Sequence, residues 1–194
     1  MEHLASHIQI AGLPSSRSEL HHYVLLDGVK MEPVLTWVYQ SINNPEWYPL
    51  YKNTRYHDVI DISPCLVKVQ ADSSIAEHFE SELGRQGKAI WLSSTLDLDV
   101  LGESLSQLLW VMTDSGQYLH FRFYDPITLS RLIPSLHSEE YAALYKGVEN
   151  IIWFDAKRDA WKKLTVPYSS KNTNHSGRVP FKTEWVDAVV SADH

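Results

Sequence analysis

The sequence predicts an α/β fold, in which a mixed sheet flanked by helices is accompanied by a short helical C-terminal part and a late hairpin. Short apolar runs typical of strands recur between segments whose apolar residues have helical spacing. The first three strands alternate with helices, which favours some parallel pairing in the sheet. Hydrophobic residues make up 44% of the 194 residues, enough for a sizeable core.

The first half of the chain alternates between predicted strands and predicted helices. The strands are residues 23–26, 63–70 and 88–94. The helices are residues 33–42, 73–84 and 97–109, the first opened by a proline and the second bounded by serine and glycine. Between the first helix and the second strand, NNPEWYPLY at 43–51 contains two prolines and three aromatic residues, and we predict a loop there.

The second half is dominated by hairpins and short helices. WVMTDSGQYLHFRFYDP, at 110–126, predicts a hairpin that turns at DSG. Two short helices at 127–136 and 138–147 and a hairpin at 150–166 follow. The predicted organisation is an N-terminal extension at 1–22, an α/β domain at 23–167 with its helical portion at about 127–147, and a polar linker and tail at 168–194. The apolar patch near the end of that tail predicts a docked terminal helix.

Charge and composition disfavour several classes of protein. The net charge of −7 disfavours a nucleic-acid binder and attachment to an anionic membrane. The N-terminus does not resemble a secretory signal and no apolar stretch reaches the ~18 residues that cross a bilayer, so we expect a cytoplasmic protein. The single cysteine, Cys65, lies in an apolar run that favours a buried core residue, and a nucleophile there would need a base that the sequence does not indicate.

Motifs for cofactors and catalysis are missing from the sequence. HExxH, GxGxxG, GKS, GKT and GxSxG do not occur. The ten histidines include the adjacent pair His21 and His22, and His3 and His7 four residues apart in the N-terminal extension, but no second cluster has the spacing of metal ligands. The sequence therefore predicts no metal site, no cofactor and no catalytic residues.

The most informative stretch is FRFYDP at 121–126. If the strand continues through it, Phe121 and Phe123 face inward, while Arg122 and Tyr124 share the opposite face.

Arg122 can form a bidentate clamp with a carboxylate, for which Asp27 and Asp125 are the natural partners. Asp125 and Pro126 also suit the first turn of the following helix. Three interpretations remain open: a structural clamp of Asp27, Arg122, Asp125 and Pro126, a direct contact with a partner, or a catalytic group.

The aromatic loop at 43–51 is ambiguous in the same way. Trp47, Tyr48 and Tyr51 could pack on the core, or they could anchor a protein interface, a role in which Trp and Tyr are enriched.

Four segments in order resemble a bacterial family, the effector adaptors (or chaperones) of type VI secretion systems. They are LLDG at 25–28, EWYPLYKNT at 46–54, SPCLVKV at 63–69 and DSGQYLHFRFYDP at 114–126. The positions that match the family pattern are Asp27, Trp47, Leu50, Pro64, Arg122, Tyr124, Asp125 and Pro126. Ile127 departs from the arginine that many members have there, and the C-terminal helical part is smaller than usual.

The resemblance implies a cytoplasmic adaptor without enzymatic activity. Such a protein binds a toxic effector near its N-terminal region and helps to load it onto the valine-glycine-repeat spike protein. The implied partners are the effector and the spike, with no nucleic acid, membrane or small-molecule substrate. The candidate partner-binding residues are Trp47, Tyr48, Tyr51, Arg122 and Tyr124.

Two alternatives compete with the adaptor. A small acidic protein of this kind could be an immunity protein, which would bind the toxic domain rather than the delivery region of an effector. It could also be an enzyme of unrecognised class that uses Asp27, Arg122 and Asp125 around a pocket.

Overall fold

One antiparallel sheet organises the chain. The computed structural model describes residues 20–70, 74–166 and 183–186. Its strands are β1 His21–Leu26, β2 Trp47–Pro49, β3 Cys65–Lys68, β4 Ala89–Ser94, β5 Trp110–Met112, β6 Tyr118–His120, β7 Val148–Asp155, β8 Ala160–Thr165 and β9 Thr183–Val186. Seven of these form a sheet in the order β2-β3-β1-β4-β7-β8-β9, and β5 and β6 form a separate hairpin.

Helices cover both faces of the large sheet. They are α1 Val34–Ser41, α2 Ile75–His78 continued by a π-helix Phe79–Leu83, α3 Leu98–Ser106 continued by a 3-10 helix Gln107–Leu109, α4 Pro126–Leu132 continued by a 3-10 helix Ile133–Ser135, and α5 Ser138–Leu144. A 3-10 helix, His57–Ile62, lies between β2 and β3. The predicted fold class, an α/β fold with a sheet flanked by helices, is confirmed, as is the late hairpin, which is formed by β7 and β8.

The expected parallel pairing does not occur among the described strands, since every described pair is antiparallel. The helical crossovers that suggested it do exist: α1 lies between β1 and β2, and α2 lies between β3 and β4. Each crossover passes over one strand, because β3 lies between β1 and β2, and β1 lies between β3 and β4. The two strands of each crossover are therefore parallel in direction but are not neighbours.

Two further expectations are wrong. The segment at 43–51 was expected to be a loop, but it contains β2, whose residues 47–49 pair with β3. Within the segment where a terminal helix was expected, residues 183–186 instead form β9, which extends the sheet beyond β8, and residues 187–194 lie outside the described residues. Its sequence, TEWV, includes a threonine, a tryptophan and a valine, residue types that favour strands. The remaining predicted linker, 168–178, and most of the N-terminal extension, 1–19, lie outside the described residues.

The sheet separates two hydrophobic cores. In β4, the neighbouring residues Trp91 and Leu92 point to opposite faces, and each is only 1% exposed. Leu92 packs with residues of α3 and α4, including Leu101 and Leu129. Trp91 packs with residues of α1 and α2, including Val38. Among the described residues, no helix is long and apolar enough to cross a membrane.

Candidate protein-binding surface

The β5–β6 hairpin exposes a cluster of apolar side chains. Val111 is 38% exposed, Met112 66%, Tyr118 58% and Leu119 50%. The strand register places Val111 opposite Leu119 and Met112 opposite Tyr118, so the four side chains are adjacent in pairs on the two faces of the hairpin. We call these four residues the hairpin patch. Single exposed apolar residues are normal on a protein surface, but two such pairs on opposite faces of one small hairpin are more typical of a protein-binding element.

The hairpin also presents open backbone edges. Thr113 donates its N–H to the carbonyl of Gln117 at 2.8 Å, which marks one hydrogen-bonded pair of the ladder. By the alternation of an antiparallel ladder, the N–H and C=O groups of Met112 and Tyr118 point away from the partner strand. Neither strand pairs with a third strand in the described part of the chain. Such edges can accept an additional strand from another protein.

An aromatic stack holds the base of the hairpin. The ring of Trp110 lies on that of Tyr56, with centroids 4.3 Å apart and planes 17° from parallel. The guanidinium of Arg55 lies 4.5 Å from the Trp110 ring and 5.4 Å from the Tyr118 ring. Arg55 is exposed, so a cation borders the hairpin patch. His120 completes the cluster, with its ring 5.2 Å from that of Tyr56.

The environment of His120 favours its neutral form. Burial lowers the pKa of His120 below its ordinary value of 6.5, and the positive charge of Arg122 lowers it further, against a smaller opposing effect of Asp27. The aromatic cluster therefore carries one positive charge, that of Arg55, on its exposed side.

The segment after the hairpin is tied to the end of β1 by ion pairs. The guanidinium of Arg122 donates a hydrogen bond to the carboxylate of Asp27, which is 2% exposed. Lys30 approaches Asp27 to 3.8 Å, and it donates hydrogen bonds to Asp125 at 2.9 Å and to the carbonyl of Gly87 at 2.8 Å. Two cations and two carboxylates thus connect three loops at one end of the sheet.

Asp125 also begins α4, as the sequence predicted. Its carboxylate accepts a hydrogen bond from the backbone N–H of Thr128 at 3.3 Å, and Pro126 occupies the first helical turn. Burial raises the pKa of Asp125, but the hydrogen bonds from Lys30 and Thr128 outweigh this effect, and the net pKa lies below its ordinary value of 3.8.

The alternation assumed for FRFYDP is wrong. β6 ends at His120, and a turn follows in which the N–H of Asp125 donates to the carbonyl of Arg122 at 3.0 Å. Phe123 and Tyr124 are adjacent but both buried, at 0% and 2% exposure, because the turn directs both side chains into the core. The guanidinium of Arg122 lies 5.6 Å from the Tyr124 ring.

Three of the predicted partner-binding residues belong to the core instead. Tyr48, Tyr51 and Tyr124 are 2%, 5% and 2% exposed, respectively, so they have no surface to offer a partner. Burial raises the pKa of the Tyr124 hydroxyl well above its ordinary value. Trp47 and Arg122 remain partly accessible, and the indole of Trp47 donates a hydrogen bond to the hydroxyl of Tyr39 at 3.1 Å.

The side chains proposed for catalysis are engaged with other charges. Asp27 pairs with Arg122, and Asp125 pairs with Lys30. Cys65 is 1% exposed, and burial raises the pKa of its thiol, which favours the core interpretation. The described residues contain no cluster of three His, Cys, Asp or Glu side chains that could hold a metal ion. A small cavity does exist, but it lies elsewhere, beside β2.

Comparison with models of known protein families identifies the family of this chain. Residues 22–143, well over half of the 194 residues, match the family model described as Domain of unknown function (DUF4123). The protein belongs to the DUF4123 family. No curated protein and no solved structure matches the chain. The DUF4123 region extends from β1 to α5 and includes the hairpin patch and its ion pairs, whereas β7, β8 and β9 follow it.

Sequence reasoning missed several residues of the DUF4123 region that build this surface. Lys30 was overlooked, although its position three residues after Asp27 in LLDGVK was a usable signal. Arg55 and Tyr56 carry no recognisable pattern for stacking on the hairpin. Met112 and Leu119 were expected only as strand residues, and alternation in a short strand does not reveal that both faces are exposed.

Proposed function

We propose that this DUF4123 protein is a cytoplasmic adaptor that binds a type VI secretion effector and helps to load it onto the valine-glycine-repeat spike protein for export. Two lines of reasoning support the proposal. The four ordered motifs resemble the adaptor family, and they lie within the DUF4123 match, a domain linked to such adaptors. The structural observation that carries the proposal is the exposed hairpin patch.

The hairpin patch has the chemistry that an exposed segment of a client protein needs. Complete burial of a large apolar side chain contributes about 1.5–3 kcal/mol, and these four side chains are 38–66% exposed, so covering them supplies part of that free energy to a complex. The open edge groups of Met112 and Tyr118 can pair with an extended segment while the side chains pack against it. Arg55, next to Tyr118, adds a cation that favours an acidic residue in the client.

The base of the hairpin is fixed before the partner arrives. The stack of Trp110 on Tyr56 and the pairing of Arg122 with Asp27 hold the two ends of the hairpin against the domain. A surface that is already ordered loses little conformational entropy on binding, which favours affinity. A two-stranded hairpin is marginally stable by itself in water, so this anchoring is what keeps the patch available.

Reconstitution with a candidate type VI secretion effector tests the proposal. The purified chain is mixed with full-length effector, with its N-terminal delivery region or with its toxic domain, and each complex is then presented to the spike protein during size-exclusion chromatography. The adaptor account predicts that the delivery region is bound and that the effector elutes with the spike only when this chain is present. Binding of the toxic domain alone, with loss of toxicity, would instead identify an immunity protein.

A further inference from the structure

A small cavity lies at the outer edge of the large sheet, on the face opposite the Tyr48 side chain. Its volume is about 80 Å³. Its lining comes from α1, β2, the 3-10 helix 57–62 and β3, and includes Leu35, Trp47, Pro49, Ile60, Asp61 and Cys65. The cavity is therefore mostly apolar, with one carboxylate, that of the exposed Asp61.

The cavity adjoins an edge strand with its own outward-pointing backbone groups. β2 is the terminal strand of the seven-stranded sheet and pairs only with β3 among the described strands. Lys68 donates its N–H to the carbonyl of Glu46, and Leu50 donates to the carbonyl of Pro64, each at 2.9 Å. The ladder alternation then directs the N–H and C=O of Trp47 away from β3, toward solvent.

Two prolines, one just before β2 and one at its end, restrict the backbone hydrogen bonds that a partner strand can form there. Pro45 and Pro49 flank Trp47 at the other outward-facing positions, and neither has an N–H. A partner strand can therefore form a complete pair of backbone hydrogen bonds only at Trp47. The side chains of Trp47 and Pro49 share the face that carries the cavity, because they line it together with Cys65. The edge and the cavity thus fix the register of a bound segment.

Size and charge define the segment that fits. The cavity has about half the volume of the 150 Å³ apolar cavity that accommodates benzene, so it suits a branched aliphatic side chain better than an aromatic ring. Asp61 at the cavity favours a basic side chain beside the aliphatic one. On an extended strand, that basic residue lies two positions away, on the same face.

We propose that the outer edge of β2 and this cavity bind an extended segment of a partner protein, with one aliphatic side chain in the cavity and a lysine or arginine two positions away beside Asp61. This site is separate from the hairpin patch. The two sites adjoin the same segment, since Tyr56 contacts the hairpin whereas Ile60 lines the cavity. The proposal does not depend on the identity of the client that binds the hairpin patch.

A peptide series tests the proposal directly. The probe is the capped heptapeptide Ser-Thr-Leu-Thr-Arg-Thr-Ser, added to the ¹⁵N-labelled full chain, with binding followed through the backbone amide and indole signals of Trp47. We expect saturable shifts at millimolar peptide. Replacement of the peptide leucine by alanine is expected to weaken binding about tenfold or more, because the buried methyl groups are lost. Replacement of its arginine by glutamate is expected to weaken binding in a salt-dependent way.

Two variants at one rim position give a matched comparison. Leu35 is only partly buried, so it can be changed with limited effect on the fold, which urea unfolding verifies. Leu35→Phe is expected to fill the cavity and abolish leucine-peptide binding, whereas Leu35→Ala is expected to enlarge it and admit a phenylalanine peptide. A double Met112→Ser and Leu119→Ser variant of the hairpin patch is expected to bind the peptide unchanged.

Several results would overturn the proposal. These are equal binding of the leucine and alanine peptides, undiminished binding to the Leu35→Phe variant, or no Trp47 shift at millimolar peptide. Each of them leaves the adaptor account intact, since that account is tested with the effector and the hairpin patch.

Discussion

The guanidinium of Arg122 donates a hydrogen bond to the carboxylate of Asp27, a residue 95 positions earlier in the chain. Asp27, which directly follows β1, is nearly fully buried, whereas the side chain of Arg122 is 35% exposed. The contact joins the central part of the sheet to the segment that leaves the hairpin. Lys30 approaches the same carboxylate and also binds Asp125, so the four charges neutralise one another.

Loss of Arg122 should destabilise the fold, because the buried carboxylate of Asp27 would keep only Lys30, at 3.8 Å, as a cationic partner. We expect Arg122→Met to lower the free energy of unfolding by about 2 kcal/mol, the range for a hydrogen bond to a charged group. The double variant with Asp27→Asn should cost less than the sum of the two single variants, because each removes the same interaction. Urea unfolding of all four proteins measures this coupling. Arg131→Met, at an exposed position of α4, is the matched control and should change little.

Stability should depend on pH through Asp125. Its pKa is depressed in the folded state, so its contribution is fully present above the ordinary pKa of 3.8 and is lost as the pH falls through the lower folded value. The difference in unfolding free energy between wild type and Asp125→Asn should therefore be constant from pH 7 to about pH 5 and shrink below about pH 4. Denaturant titrations across this range measure it. Asp114→Asn, in the exposed hairpin turn, controls for the change of charge, and an equal pH response in both variants would contradict the account.

Gly102 should not tolerate a methyl group, although it lies in a helix. A Cβ at this position of α3 would overlap the buried ring of Tyr48. Alanine is favoured over glycine by about 1 kcal/mol in a helix, but overpacking costs about 1–3 kcal/mol. We expect Gly102→Ala to lower the melting temperature, and Glu103→Ala, on the exposed side of the same helix, to leave it nearly unchanged. A stabilised Gly102→Ala variant would show that Tyr48 does not occupy this position.

Tyr56 should control the order of the hairpin without controlling the fold. Its stack with Trp110, at 4.3 Å between ring centroids, is the kind of contact worth about 1 kcal/mol. We expect Tyr56→Ala to speed amide exchange across residues 110–120 roughly fivefold, with exchange in β1 and β4 unchanged. Tyr39→Ala removes another ring, which contacts Trp47 edge-on, and should leave exchange in the hairpin unaffected. Unchanged protection in the Tyr56→Ala hairpin would argue against the stack as its anchor.

Most of the helices and strands were predicted from the sequence, because apolar spacing and capping residues lie within each element itself. The apolar run that ends at Asp27 and the helix that begins at Asp125 follow from composition and capping alone. Strand order does not follow from such signals. A strand–helix–strand pattern fixes the relative direction of β3 and β4, but it does not say that β1 lies between them.

The site was harder to predict, because burial of an aromatic residue depends on tertiary packing. Trp47 and Tyr48 are neighbours in sequence, yet Tyr48 is in the core and Trp47 is partly exposed, since β2 directs them to opposite faces. Met112 and Leu119 differ from other apolar strand residues only because β5 and β6 stand apart from the large sheet. No property of the two strands alone reveals that separation.

The affinity of the effector for a hairpin-patch variant tests the central claim most directly. Calorimetry compares wild type with the triple variant Met112→Ser, Tyr118→Ser and Leu119→Ser. The matched control changes Val29, Val100 and Ile127 to serine, three apolar residues that are similarly exposed, at 48%, 55% and 61%, but lie outside the hairpin. The account predicts at least about a hundredfold loss of affinity in the patch variant and less than about threefold in the control. Wild-type affinity in the patch variant would contradict the claim that this hairpin binds the client.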